Sequence, residues 1–175
     1  MKDFLRIIDG QKFQSLICFT DVTGFAQTVK ALGTEGAVEM LRDLATTIDD
    51  HLRPTPGWIV KYIGDASLIV FPDEWVDEGV RTLLSLKQKC DAHLEERELP
   101  NKITFAMHFG EIMVIKLPPI EGFDVMGDAV NTTARLEGGR SKGRFVISPQ
   151  VFRKLKPQTR KSFHKFTPPI VYYGE

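Results

Sequence analysis

The chain has 175 residues, 42% hydrophobic and 26% charged, the balance of a single globular domain with room for a proper core. Lys+Arg and Asp+Glu both number 23 and the formal net charge is zero, which excludes the strongly basic footprint of a general nucleic-acid binder. No apolar run approaches the ~20 residues needed to span a bilayer, the opening MKDFLRIIDG lacks signal-peptide character, and two cysteines, Cys18 and Cys90, are too few for a disulfide framework or a zinc site.

The expectation is therefore one cytoplasmic domain over 1–175, its core at about 14–173. QSLICFTD (14–21) reads as a buried strand, rich in β-branched and aromatic residues. From about Thr34 to His51, apolar residues at Ala37, Met40, Leu41, Leu44, Ala45 and Ile48 have helical spacing, and PTPG (54–57) ends that run. GWIVKYI (57–63) and ASLIVF (66–71) are two strands joined at Gly64-Asp65, a hairpin signal. A long helix is predicted from Trp75 to Glu96. ITFAMHF (103–109) reads as a strand and EIMVIKL (111–117) as its partner. GDAVNTTARLE (127–137) is predicted helical, RFVIS (144–148) a strand, and PQVFRKL (149–155) a short helix opened by proline. The tail 160–173 suits one or two edge strands. The order β-α-β-β-α-β predicts an α+β fold with a ferredoxin-like core: an antiparallel-rich sheet with helices on one face.

Two carboxylates stand at matching places. Asp21 closes the first strand in FTDVTGF (19–25), and Asp65 sits in the hairpin of KYIGDAS (61–67). Alone, either reads as a turn aspartate bonding nearby amides. In a βαββ arrangement the first strand lies beside the hairpin, so the two carboxylates become neighbours and repel unless a cation lies between them. Mg²⁺ suits such a place, taking one or two carboxylates, water and phosphate oxygens. The small backbone of VTGF, with Gly24 and Phe25, can approach a phosphate through its N–H groups.

FTDVTGF followed by KYIGDASLIVF closely resembles the class III adenylyl/guanylyl cyclase catalytic domain, and FDVMGDAVNTTARLE (123–137) resembles that family's other signature. The resemblance runs from about Leu16 to Tyr173. It implies conversion of ATP to 3′,5′-cyclic AMP and pyrophosphate with two divalent ions per site, Mg²⁺ or Mn²⁺, held by Asp21, Asp65 and the carbonyl of Val22. One ion would activate the ribose 3′-hydroxyl and the other would hold the leaving phosphates. It also implies that Asn131 orients the ribose and that Arg135 stabilises the charged transition state, a task suited to a guanidinium. Lys61 and Asp124 match the adenine-reading pair, a donor for N1 and an acceptor for the amino group. Guanylyl enzymes of the family resemble one another in having Glu and Cys there. Lys165, in HKFTPPIVYY (164–173), is the looser candidate for a triphosphate-binding lysine. A head-to-tail homodimer follows from the resemblance, one protomer supplying the aspartates and its partner Lys61, Asp124, Asn131 and Arg135.

The segment GEIMVIKLPPIEGFD (110–124) departs from the family, which has more spaced glycines there. No sensor, receiver or membrane segment is visible in these residues, so a regulatory domain is not seen. The competing readings are a guanylate cyclase and a catalytically silent nucleotide-binding module of the same fold. A diguanylate cyclase is disfavoured because the hairpin reads Ile63-Gly64-Asp65-Ala66. His51, His93, His108 and His164 show no ligand spacing and read as structural or surface residues. RSKGR (140–144) is basic enough to greet a phosphate, but a solvated loop is the favoured reading.

Overall fold

The computed structural model describes residues 9–119, 121–139, 143–167 and 169–174. Strand β1 (Lys12–Val22) leads into helix α1 (Phe25–Leu52), then the hairpin β2 (Trp58–Ile63) and β3 (Ala66–Pro72), then helix α2 (Val76–Glu96) and strand β4 (Ile103–Ile115). These form one sheet in the order β2-β3-β1-β4, with β1 antiparallel to both β3 and β4. That is the predicted βαββαβ core. The remaining elements are β5 (Asp124–Met126), α3 (Asp128–Gly138), β6 (Phe145–Ile147), α4 (Pro149–Lys154), α5 (Pro157–Arg160), β7 (Phe163–Phe166) and β8 (Val171–Gly174). The sheet continues past β4 as β6-β8-β7, and β5 pairs with the end of β4. Among the described residues only β6 runs parallel to a neighbour, β4. The tail supplies two strands, of which β7 is the edge.

Helices α1 and α2 cover one face. Met40, Leu44 and Ile48 of α1 meet Leu83, Leu86 and Leu94 of α2 over Leu16, Cys18, Ile69 and Phe105 of the sheet. Full burial of one such leucine is worth about 1.5–3 kcal/mol. Burial also pushes the thiol of Cys18 far up and that of Cys90 to about 12, so both are inert apolar filler.

Four expectations need correction. Helices do not keep to one face: α3 lies on the other, where Ala129 packs with Ile17, Leu68, Val70, Ile112 and Val114. Strands apolar on both faces, as SLICF and SLIVF are, need cover on both. Residues 103–117 do not make two paired strands, because β4 runs unbroken to Ile115 and pairs along β1 from Val22↔Ile103 to Lys12↔Met113. Helix α1 starts at Phe25 rather than near Thr34, with a kink at Gly33, whose φ of 71° a glycine adopts readily. Arg144 is not part of a solvated loop: its guanidinium donates to both carboxylate oxygens of Asp91 at 2.7 and 2.6 Å, tying the approach to β6 against α2. The rest of that basic stretch, 140–142, lies outside the described residues.

Candidate functional site

The end of β1 and the tip of the β2–β3 hairpin lie side by side. Thr20 pairs with Ser67 in the strand register, and Asp21 follows the first while Asp65 precedes the second by two residues. Residue alternation puts Asp21 on the α3 side, with Ile17 and Phe19, while Thr20 and Val22 face α1. Both aspartates are half-buried. On the α1 side, beside Asp65, lies a cavity of about 220 Å³, walled by α1 through Val38, Leu41 and Ala45, with Thr20, Val22, Asp65 and Ser67 also lining it. Among the described residues no three His, Cys, Asp or Glu side chains gather. The available donors are thus two carboxylates and the Val22 carbonyl, all hard oxygens, with other positions left to water and phosphate. That donor set fits Mg²⁺ or Mn²⁺ and not a soft-metal site.

Past Asp21 the chain turns through Gly24 (φ 70°) into α1. Gly24 is exposed at the head of the helix, and Phe25 packs into the core under it. The turn is fastened to the approach to β4, where Thr23 N–H donates to Lys102 O (2.8 Å) and Lys102 N–H donates to Thr23 Oγ1 (2.9 Å).

The structure brings Lys61 and Asp124 together. Lys61 Nζ of β2 donates to Asp124 Oδ2 of β5 at 2.5 Å, both side chains being partly exposed. The other oxygen, Oδ1, accepts from Val125 N–H at 2.8 Å and so fixes the carboxylate. Asn131 and Arg135 stand one turn apart on α3, both exposed. Arg135 Nη2 lies 3.6 Å from Asp128 Oδ1, in a pair that is 73% and 90% exposed. Such a contact is worth little, so the guanidinium is available to an incoming group.

A family profile described as Adenylate and Guanylate cyclase catalytic domain matches residues 10–168. The chain belongs to that family. It is 30% identical over 174 residues to "Adenylate cyclase 2" of Rhizobium meliloti (strain 1021), covering 88% of this chain and 47% of the relative. It is 27% identical over 159 residues to "Receptor-type guanylate cyclase gcy-13" of Caenorhabditis elegans, covering 85% of this chain and 15% of the relative. The cyclase domain thus spans less than half the length of these relatives. Its fold matches that of a bacterial light-regulated adenylyl cyclase with a TM-score of 0.83 at 19% identity, covering 96% of this chain and 53% of that one. Among the described residues no helix is long and apolar enough to cross a membrane.

Within this cyclase domain Lys165 stands apart. It is exposed on β7, opposite Tyr172, and five strands separate β7 from β2 in the sheet. Helix α3 is seated by two glycines. A Cβ at Gly110 would lie 2.7 Å from Ala129 Cβ, and one at Gly127 2.8 Å from Glu111 O. Sequence reading missed Gly127, Thr20, Ser67 and Asn101 as site supports. The first three lie inside or beside the quoted motifs, while Asn101 carries no local signal.

Proposed function

We propose that this cyclase domain is an adenylate cyclase, converting ATP to 3′,5′-cyclic AMP and pyrophosphate at sites shared between two copies of the chain. The contact between Lys61 and Asp124 carries the reading. An ammonium and a carboxylate held side by side present a donor and an acceptor, matching adenine N1 and its amino group. Guanine reverses that pattern along the same edge, and a donor–acceptor pair left unmatched by the wrong base discriminates against it.

In the reaction the ribose 3′-oxygen attacks the α-phosphorus as the bond to the bridging oxygen breaks and pyrophosphate leaves. Bound divalent cations supply charge neutralisation and lower the cost of ionising the hydroxyl. Asp21, Asp65 and the Val22 carbonyl would hold them, and the Gly24-Phe25 backbone would lie against the phosphates. Asn131 orients the ribose. Arg135 meets the charge that grows on the phosphoryl oxygens. Lys165, which stands apart from Lys61 within one copy, would meet the terminal phosphates only in the assembled dimer. The exposure of Asn131 and Arg135 on α3 supports completion of the site by a second copy, head to tail.

Substrate preference tests the assignment. Wild type should cyclise ATP far faster than GTP, and the double variant Lys61→Glu/Asp124→Cys should lose that preference. An ATP preference unchanged by the double variant contradicts the base-reading role.

A further inference from the structure

We infer that Asn101 is a positioning residue for the phosphate- and metal-binding turn, an inference that rests on the reading above. Asn101 precedes β4 and is 2% exposed, so its carboxamide must find partners within the protein. They flank the turn that follows Asp21, one on each side. Its Nδ2 donates to Thr23 O at 2.7 Å, and its Oδ1 accepts from Thr28 Oγ1 at 2.8 Å. Thr28, 5% exposed, belongs to the first turn of α1. One side chain therefore clamps the exit of the Asp21-Val22 strand end to the start of the helix, with Gly24 between the two grips. The neighbouring backbone is itself held: Asp91 accepts from Ile103 N–H at 3.3 Å and is locked by Arg144. Asn101 thus transmits the rigidity of α2 and β4 to the loop whose carbonyl and amides would face the cations and the triphosphate.

The chemistry separates the two grips. Asn101→Asp keeps an acceptor for Thr28 but loses the donor to Thr23 O and adds a charge near Asp21. Thr28→Val removes the hydroxyl at nearly constant shape, and Thr28→Ser retains it. Since misplacement by about 1 Å can cost up to about a hundred-fold, Asn101→Ala and Asn101→Asp should each weaken the site by on the order of ten-fold. Thr28→Val should follow in the same direction, and Thr28→Ser should behave as wild type.

The experiment is calorimetric titration of the dimeric protein with Mn²⁺ and 3′-deoxy-ATP, which lacks the attacking hydroxyl and cannot be cyclised. ATP turnover and thermal midpoints are measured on the same samples. Weaker analogue affinity in both Asn101 variants, restored in Thr28→Ser relative to Thr28→Val, supports the positioning role. Lowered thermal midpoints with wild-type affinity and wild-type Mn²⁺ dependence overturn it, leaving Asn101 a stability residue only. If wild type binds the analogue but makes no cyclic AMP, the proposed reaction fails while the affinity comparison still decides the role of Asn101. If wild type does not bind the analogue, both fall.

Discussion

The hydroxyls of Thr20 and Ser67 lie 2.6 Å apart, joining β1 to β3 just beneath the two aspartates. Each residue is 1% exposed, so each hydroxyl relies chiefly on the other. Ser67→Ala strands the Thr20 hydroxyl, and the expected loss of stability is about 1–3 kcal/mol. Adding Thr20→Val removes the stranded group, so the double variant should lose less than the sum of the singles. Urea denaturation of the four proteins measures this, and simple additivity would show the pair uncoupled.

Asp65 occupies the turn of the hairpin and is half-exposed, so its charge contributes little to folding. Asp65→Asn should therefore retain the thermal midpoint while lowering cyclic nucleotide formation by at least about a hundred-fold, the scale for losing one preorganised electrostatic contact. Turnover and thermal melting on one preparation check both halves. Normal activity in the variant would remove Asp65 from the metal site.

Much of this architecture was legible because its signals are local. A strand ending in Asp21, a Gly-Asp hairpin and amphipathic helices in the right order suffice for the βαββαβ core. The failures are equally physical. Gly110 looks like a turn between two strands, yet β4 runs through it because α3 needs the missing side chain there. Gly33 hid the first turns of α1 by interrupting its periodicity. The three residues of β5 are too few for any pattern. Lys61 and Asp124 lie 63 positions apart; resemblance to a family named them as a pair, and only the fold shows their contact. Asn101 lies 78 positions from Thr23, with no motif around it, and only the fold reveals its partners.

Gly127 offers a test of how α3 is seated. It lies at φ 154° directly before the helix, and a methyl group there would meet the backbone oxygen of Glu111. Gly127→Ala should cost about 1–3 kcal/mol and reduce turnover by displacing Asn131 and Arg135. Gly138→Ala, at the open end of the same helix, should leave both properties near wild type. Equal effects from the two variants would contradict tight seating through Gly127.

His108 lies against the same helix, 9% exposed, with a buried Nδ1 that has no hydrogen-bond partner among the described residues. Burial lowers its pKa, and Asp128 at the start of α3 offsets this in part. The folded-state pKa is below the unfolded value of about 6.5, so the unfolded chain takes up the proton first. Its contribution to stability is complete above about pH 6.5 and is lost as pH falls from there through the folded-state pKa. Denaturation midpoints from pH 8 to pH 5 should therefore fall more steeply for wild type than for His108→Gln. Parallel curves would show that His108 does not titrate in this window.

The central claim is a nucleotide cyclase whose site is completed by a second copy of the chain. Its most direct test is cyclic product formed from ATP, with Mn²⁺ or Mg²⁺, as a function of protein concentration. The expected result is cyclic AMP with a specific activity that rises as dimer forms, and little product from GTP. No cyclic AMP at concentrations where the dimer is demonstrably present, or a specific activity independent of concentration in a demonstrated monomer, would contradict it.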